Sequence, residues 1–103
     1  MEIEDLRVKA FERKIKWTAH VAQRIQERDI SRLDVINCIS TGEIIENYPD
    51  DYPNPSCLIL GLSNEGKSIH VVVGSDGDCI FIITAYYQNL NKFEEDYKTR
   101  RKS

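Results

Sequence analysis

The first third of the chain carries apolar residues at a helical spacing. Ile3, Leu6, Ala10 and Phe11 fall on one side of a helix, with charged residues between them. A stripe of this kind on an otherwise polar helix is the usual way in which a surface helix contacts a core. The pattern therefore predicts an amphipathic helix over roughly residues 3–13.

Two further helices are predicted, each with residues typical of a helix start. Thr18 is a candidate N-cap for a helix that runs to about Asp29. Ser31 is a candidate N-cap for the third helix, and Asp34 stands where a capping box places its acidic partner. Gly42 is expected to end this helix, because glycine is the usual residue just past a helix C-terminus.

From residue 43 the apolar positions follow strand patterns. A short strand is predicted over 43–48, and the loop 49–55 contains three prolines, which lack the N–H that a strand ladder needs. Three stronger strands are predicted in 56–63, 67–75 and 78–87. They are separated by the sequences NEG and DG, which are tight-turn signals. Strands joined by tight turns pair antiparallel, so these segments predict a meander.

The last segment, residues 89–102, predicts a helix with Asn91 as its N-cap, acidic residues in its first turn and basic residues in its last. Because helices precede the strands and do not alternate with them, the fold class is α+β. We expect a single domain over 1–103, with N-terminal helices packed on an antiparallel four-stranded sheet and a C-terminal helix. The expected packing residues are Val21, Ile25, Val35 and Ile39 on the helices and Leu58, Leu60, Val71, Val73 and Ile82 on the strands.

Composition narrows the class of protein. No apolar run approaches the ~20 residues that a spanning helix needs, and the N-terminus lacks a signal-peptide pattern, so we predict a cytoplasmic protein without membrane contact. The three cysteines are widely spaced among apolar residues, which predicts buried free thiols and no metal site or cofactor. The net charge of −3 argues against a general nucleic-acid binder, although residues 97–103 carry four basic and no acidic side chains.

The second predicted helix carries a basic row of three residues. His20, Arg24 and Arg28 are four residues apart, so they lie in one row that borders the apolar positions Val21 and Ile25. We expect this row to be half-buried where the helix meets the sheet. One interpretation is phosphate binding, because guanidinium groups and a helix N-terminus both favour anions. The other is structural pairing with carboxylates, for which the available partners are Asp50, Asp51, Asp76 and Asp78.

The second histidine, His70, stands within an otherwise apolar strand, so its partners depend on the turn that follows. A two-residue loop would place Thr84 on the opposite face from His70. A three-residue loop with a glycine bulge would group His70 with Ile82, Thr84 and Tyr86. Ser-Asp-Gly suits the bulged turn, which we therefore favour.

Several motifs occur together in an order that resembles the family named domain of unknown function 4258. The resemblance covers roughly residues 17–101 and starts with H-x-x-x-R-x-x-x-R at His20. It continues through G-E-I-I-E-x-Y-P-x-D from Gly42, P-S-C-L-I-L-G from Pro55, I-H-V-V-V and T-A-Y. It ends in an acidic helix that closes with Arg100 and Arg101.

That family is thought to be distantly similar to toxin ribonucleases of the RelE and BrnT kind. The resemblance implies metal-independent RNA cleavage, with RNA and a cognate antitoxin protein as partners. Such chemistry needs a base, an acid and cations, so His20 and His70 are the candidate base and acid, and Arg24 and Arg28 hold the phosphate. Tyr86 and Thr84 would donate hydrogen bonds or stack a base, and Arg100 and Arg101 would add substrate contacts. The alternative is a non-catalytic module that binds a partner protein or an anion.

Overall fold

The computed structural model describes residues 1–88 of the 103-residue chain. It contains three helices, none of which is long and apolar enough to cross a membrane. They are α1 (Ile3–Phe11), α2 (Ala19–Glu27) and α3 (Arg32–Thr41). Each coincides with a helix predicted from the sequence. The helix predicted in the segment 89–102 lies outside the described residues, as do Arg100 and Arg101.

The predicted helix ends are confirmed. The Thr18 side chain accepts a hydrogen bond from the Val21 N–H at 3.1 Å, which satisfies one of the free donors at the start of α2. Ser31 and Asp34 form a capping box, in which each side chain accepts from the other's backbone N–H. Gly42 is the C-cap residue of α3.

The sheet has five strands in the order β1-β5-β4-β3-β2. They are β1 (Ile15–Lys16), β2 (Glu43–Tyr48), β3 (Ser56–Leu62), β4 (Ser68–Ser75) and β5 (Ile80–Tyr87). The α+β class and the β2–β5 meander are confirmed, but the four-stranded antiparallel sheet is wrong, because β1 adds a fifth strand that pairs parallel to β5. Two residues are too few to show an alternating pattern, so the sequence gives no sign of β1.

The helices pack on one face of this sheet. Gly61 lies against the backbone of Cys38 in α3, so the alternate residues Ile59 and Cys57 also face the helices. The predicted packing of Leu58 and Leu60 against the helices is therefore wrong. The other expected residues do lie in the buried core, namely Val21, Ile25, Val35, Ile39, Val71, Val73 and Ile82.

The β4–β5 register sets the neighbours of His70. His70 pairs with Tyr86 and Val72 pairs with Thr84, which groups His70, Thr84 and Tyr86 on the face away from the helices, as favoured from the sequence. The turn is longer than predicted, because residues 76–79 connect the last pair of the ladder. A bulge at Ile83 returns Ile82 to the helical face, so its predicted grouping with His70 is wrong.

Candidate functional site

Helix α2 lies along the side of β5 that β1 leaves uncovered. β1 reaches only Ile80 and Phe81. Further along, Arg28 at the end of α2 contacts Thr84, and the Tyr87 hydroxyl donates to the Asp29 carbonyl oxygen at 2.9 Å. α2 therefore runs beside residues 82–87 in the direction of β5, and its basic row follows this edge of the sheet.

Arg28 is fixed to β5 by one nitrogen of its guanidinium. Nη1 donates to Thr84 Oγ1 at 3.1 Å and to the Ala85 carbonyl oxygen at 2.9 Å. Nε and Nη2 make no hydrogen bond within residues 1–88. One guanidinium nitrogen therefore anchors α2 to the strand, while no described residue uses the donors of the other two.

His20 and Arg24 are both exposed, so the expected half-burial holds for Arg28 alone. The reason is geometric: Val21 and Ile25 place the other side of α2 in the core, and within residues 1–88 the row is hydrogen-bonded to β5 only through Arg28. His20 and Arg28 are eight residues apart, which is about 12 Å along the helix axis. Because long side chains in helices tend to point towards the N-terminus, we expect the Arg24 guanidinium to extend towards His20.

No carboxylate pairs with this row in the part of the chain that the structure describes. The described ion pairs are Arg7–Glu4, Lys14–Glu12 and Lys16–Asp76. The structural interpretation named Asp50, Asp51, Asp76 and Asp78 as available partners, and none of them forms an ion pair with the row among the described residues. Glu27 does lie on the same side of α2, where it accepts a hydrogen bond from Gln23 at 3.2 Å. It lowers the positive potential of the row without neutralising Arg24.

His70 and Tyr86 are brought together, but away from His20 and Arg24. Their ring centroids are 5.4 Å apart and the rings are nearly perpendicular, at 86°. His70 is fully buried and Tyr86 is half-buried. Thr84 connects the His70–Tyr86 pair to the basic row. It shares a sheet face with Tyr86, and its hydroxyl accepts a hydrogen bond from Arg28 across the edge of β5. The catalytic and binding roles of these residues stay predictions.

A groove of about 580 Å³, which sequence reasoning missed, lies on the other side of α2. It is bounded by the end of α2, the start of α3, the β3–β4 turn and Tyr87 at the end of β5. The Asn64 N–H donates to Asp34 Oδ1 at 2.8 Å, so the turn is held against α3. This contact joins residues 30 positions apart, and no local pattern in the sequence could have revealed it.

The described residues contain no group of three or more histidine, cysteine, aspartate or glutamate side chains arranged to hold a metal ion.

Comparison with known proteins identifies a family. The sequence profile of the family described as Domain of unknown function (DUF4258) matches residues 17–87. No curated protein and no solved structure matches the chain. The matched range starts just before α2 and ends with β5, so it includes the basic row and the groove but leaves α1 outside.

Proposed function

The chain belongs to the DUF4258 family, and we propose, from the basic row that lies beside β5, that it binds RNA and cleaves it without a metal ion. The observation that supports this proposal most strongly is the environment of Arg24. This guanidinium is exposed and has no carboxylate partner among the described residues, and it lies one helical turn from both His20 and Arg28. An arginine that pairs with no described residue, beside a second arginine with donors that no described residue uses, suits a phosphate group.

The start of α2 adds to this basic row. Its first backbone N–H groups have few partners within the helix, and they carry the positive end of the helix dipole. A phosphate beside His20 could therefore meet these N–H groups and the Arg24 guanidinium together. Arg28 would hold the next phosphate along the row, about one helical turn further on.

In the proposed reaction, His20 accepts the proton of a ribose 2′-hydroxyl. The 2′-oxygen forms a bond to phosphorus, and the bond from phosphorus to the 5′-oxygen breaks. Arg24 and the free donors of Arg28 stabilise the negative charge that builds up on the phosphate oxygens. The leaving 5′-oxygen takes a proton from water, and His20 releases its own to solvent. The products are a 2′,3′-cyclic phosphate and a 5′-hydroxyl end.

This reaction uses one histidine, although His20 and His70 were both predicted as proton-transfer groups. A general acid must reach the atom that it protonates, and His70 has no exposed surface. In the proposal, Tyr86 and Thr84 support the strand edge to which Arg28 is attached. The likeness to RelE-type ribonucleases is also part of the proposal, supported by helices packed on one face of the β2–β5 meander.

A second candidate function is binding without cleavage, to an anion or a partner protein. The burial of His70 favours it, because His20 is the only other histidine in the chain. The same basic row would then hold a phosphate or an acidic segment of a partner, and no proton transfer would follow.

The test is incubation of the full chain with mixed RNA in EDTA, with analysis of product ends and a parallel binding assay. We expect cyclic phosphate and 5′-hydroxyl ends from the unaltered protein. His20→Gln should keep RNA binding and lose cleavage, whereas Arg24→Gln should weaken both at least tenfold. Glu27→Gln should strengthen binding, because it removes the negative charge beside the row.

Lys9→Gln is the matched control, because it removes one positive charge from α1, on a different part of the surface. Binding without cleavage by the unaltered protein would favour the second candidate. Absence of RNA binding, or equal effects of Arg24→Gln and Lys9→Gln, would contradict the proposal.

A further inference from the structure

We infer that the groove between α2, α3 and the β3–β4 turn holds one unstacked nucleotide of a single-stranded RNA. The phosphates of the neighbouring nucleotides lie along the basic row. This inference rests on the proposed function and adds the form of RNA that the protein recognises. A duplex keeps its bases stacked and paired, so only a single strand can place a base in a groove of this kind.

The groove begins where the basic row ends. Arg28 reaches over the edge of β5, and the next residue, Asp29, lines the groove. Nearer the N-terminus of α2, the groove is lined by Ala22 and Gln26. They lie on the opposite side of the helix from His20 and Arg24. A strand that follows the row to Arg28 therefore reaches the groove around the end of α2, without crossing the helix.

Two cations in the groove lie against aromatic rings. The Arg32 guanidinium carbon lies 5.2 Å from the centre of the Trp17 ring, and Lys67 Nζ lies 5.7 Å from the centre of the Tyr87 ring. Neither side chain forms an ion pair within residues 1–88, although Lys67 is near enough to Asp34 to help lower the pKa of that carboxyl. Cation–π contact orients a charged group but leaves its N–H donors free, so both can bind a phosphate.

The floor of the groove suits a base. Ile25 and Ile30 are buried beneath it, and the Tyr87 ring forms one side. The side-chain amides of Gln26 and Asn64 line the same space, and neither is hydrogen-bonded to a described residue. Each amide offers both donors and an acceptor, which can match the polar edge of a base.

The acidic side chains of the groove fix the orientation of the nucleotide. Both oxygens of Asp34 already accept backbone N–H groups, from Ser31 and Asn64. The carboxylates of Asp29 and Glu65 have no hydrogen-bond partner within residues 1–88. They repel a phosphate but accept hydrogen bonds from ribose hydroxyls. The phosphate is therefore expected at the cations and the sugar at these carboxylates, in a space of the size usual for small-ligand sites, roughly 300–1,000 Å³.

The experiment compares binding of a labelled single-stranded RNA and a duplex RNA of the same composition to the full chain. Lys67→Gln should weaken single-strand binding about tenfold and reduce the salt slope by about one, with duplex binding unchanged. Gln26→Ala should change the preference among the four homopolymers without changing the salt slope. Lys9→Gln serves again as the control for loss of one charge.

A second measurement locates the nucleotide directly. Titration with the four nucleoside monophosphates should shift the backbone amide resonances of Asn64 and Lys67, and inorganic phosphate should shift them less. If Arg24→Gln weakens RNA binding but Lys67→Gln does not, the groove inference is wrong and the proposed function stands. If the unaltered protein binds no RNA, the proposed function itself fails. Absence of groove shifts with every monophosphate would also count against the inference.

Discussion

Arg7 Nη2 donates to the Gly42 carbonyl oxygen at 2.8 Å, which ties the first helix to the end of the third. Nε of the same guanidinium donates to the Ile39 carbonyl oxygen at 3.1 Å, and Nη1 pairs with Glu4. The last carbonyls of a helix have no partners within it, so Arg7 supplies donors that α3 needs. Because α1 precedes the range that the family profile matches, Arg7 also attaches this additional helix to the family domain.

We therefore predict that Arg7→Ala lowers the free energy of unfolding by about 1–3 kcal/mol, because two partly buried carbonyl groups lose a charged donor. Chemical denaturation of the full chain measures this loss. Lys9→Ala on the same helix is the control, since its side chain makes no hydrogen bond or ion pair within residues 1–88. Equal stability of the two variants would show that Arg7 does not hold α1 in place.

Arg28 and Arg24 are predicted to separate stability from binding. Arg28→Ala removes both hydrogen bonds to β5 and should cost about 1–3 kcal/mol of unfolding free energy. Arg24→Ala should change it by less than about 0.5 kcal/mol, as is usual for an exposed side chain, because Arg24 bonds to no described residue. Thr84→Val, which removes one of the two Arg28 acceptors, should give an intermediate loss. Denaturation curves decide this, and a large loss for Arg24→Ala would mean that its role is structural.

The predictions that held depend on signals close in sequence. Thr18 and Ser31 mark their helices because a cap bonds to a backbone group three residues away. The bulge at Ile83, by contrast, depends on how β5 packs between β4 and the helices. The same holds for the exposure of Arg24, which depends on α2 lying beside the sheet and not across it. Periodicity gives the row of basic residues but not the side of the sheet on which the helix lies.

Gly61 is predicted to be required for close packing of α3 on β3. A Cβ at this position would lie 2.9 Å from the Cys38 Cα and closer still to its carbonyl oxygen. Backbone atoms cannot move aside as a flexible side chain can, so Gly61→Ala should push α3 outward and cost about 1–3 kcal/mol. Thermal melts measure the cost, with Leu62→Ala on the same strand as the control for general loss of strand stability. A melting temperature equal to that of the unaltered protein would contradict this packing.

The three thiols are predicted to react at different rates. Burial raises the pKa of Cys38 to about 12 and that of Cys57 to about 11, and both side chains are fully buried. Cys79 is only half-buried, so the prediction that all three are buried is wrong for this residue. The thiolate is the reactive form. A thiol reagent should therefore modify Cys79 first, and the other two only on unfolding. Mass spectrometry at increasing denaturant follows the order, and early modification of Cys38 would contradict it.

The capping box is predicted to make stability depend on pH through Asp34. Partial burial alone would raise the pKa of this carboxyl, but the hydrogen bonds from the Ser31 and Asn64 N–H groups lower it below its ordinary value. A carboxyl whose pKa is lower in the folded state stabilises the protein at pH values above its unfolded-state pKa of ~3.9. That contribution is lost as the pH falls through the folded-state pKa. Unfolding free energies of the unaltered protein and Asp34→Asn should therefore differ by a constant amount near neutral pH and converge in acid. Asp76→Asn should behave in the same direction, because the Cys79 and Asp78 N–H groups lower the pKa of Asp76. A difference for Asp34→Asn that grows as the pH falls would mean that the charged carboxylate does not hold the β3–β4 turn against α3.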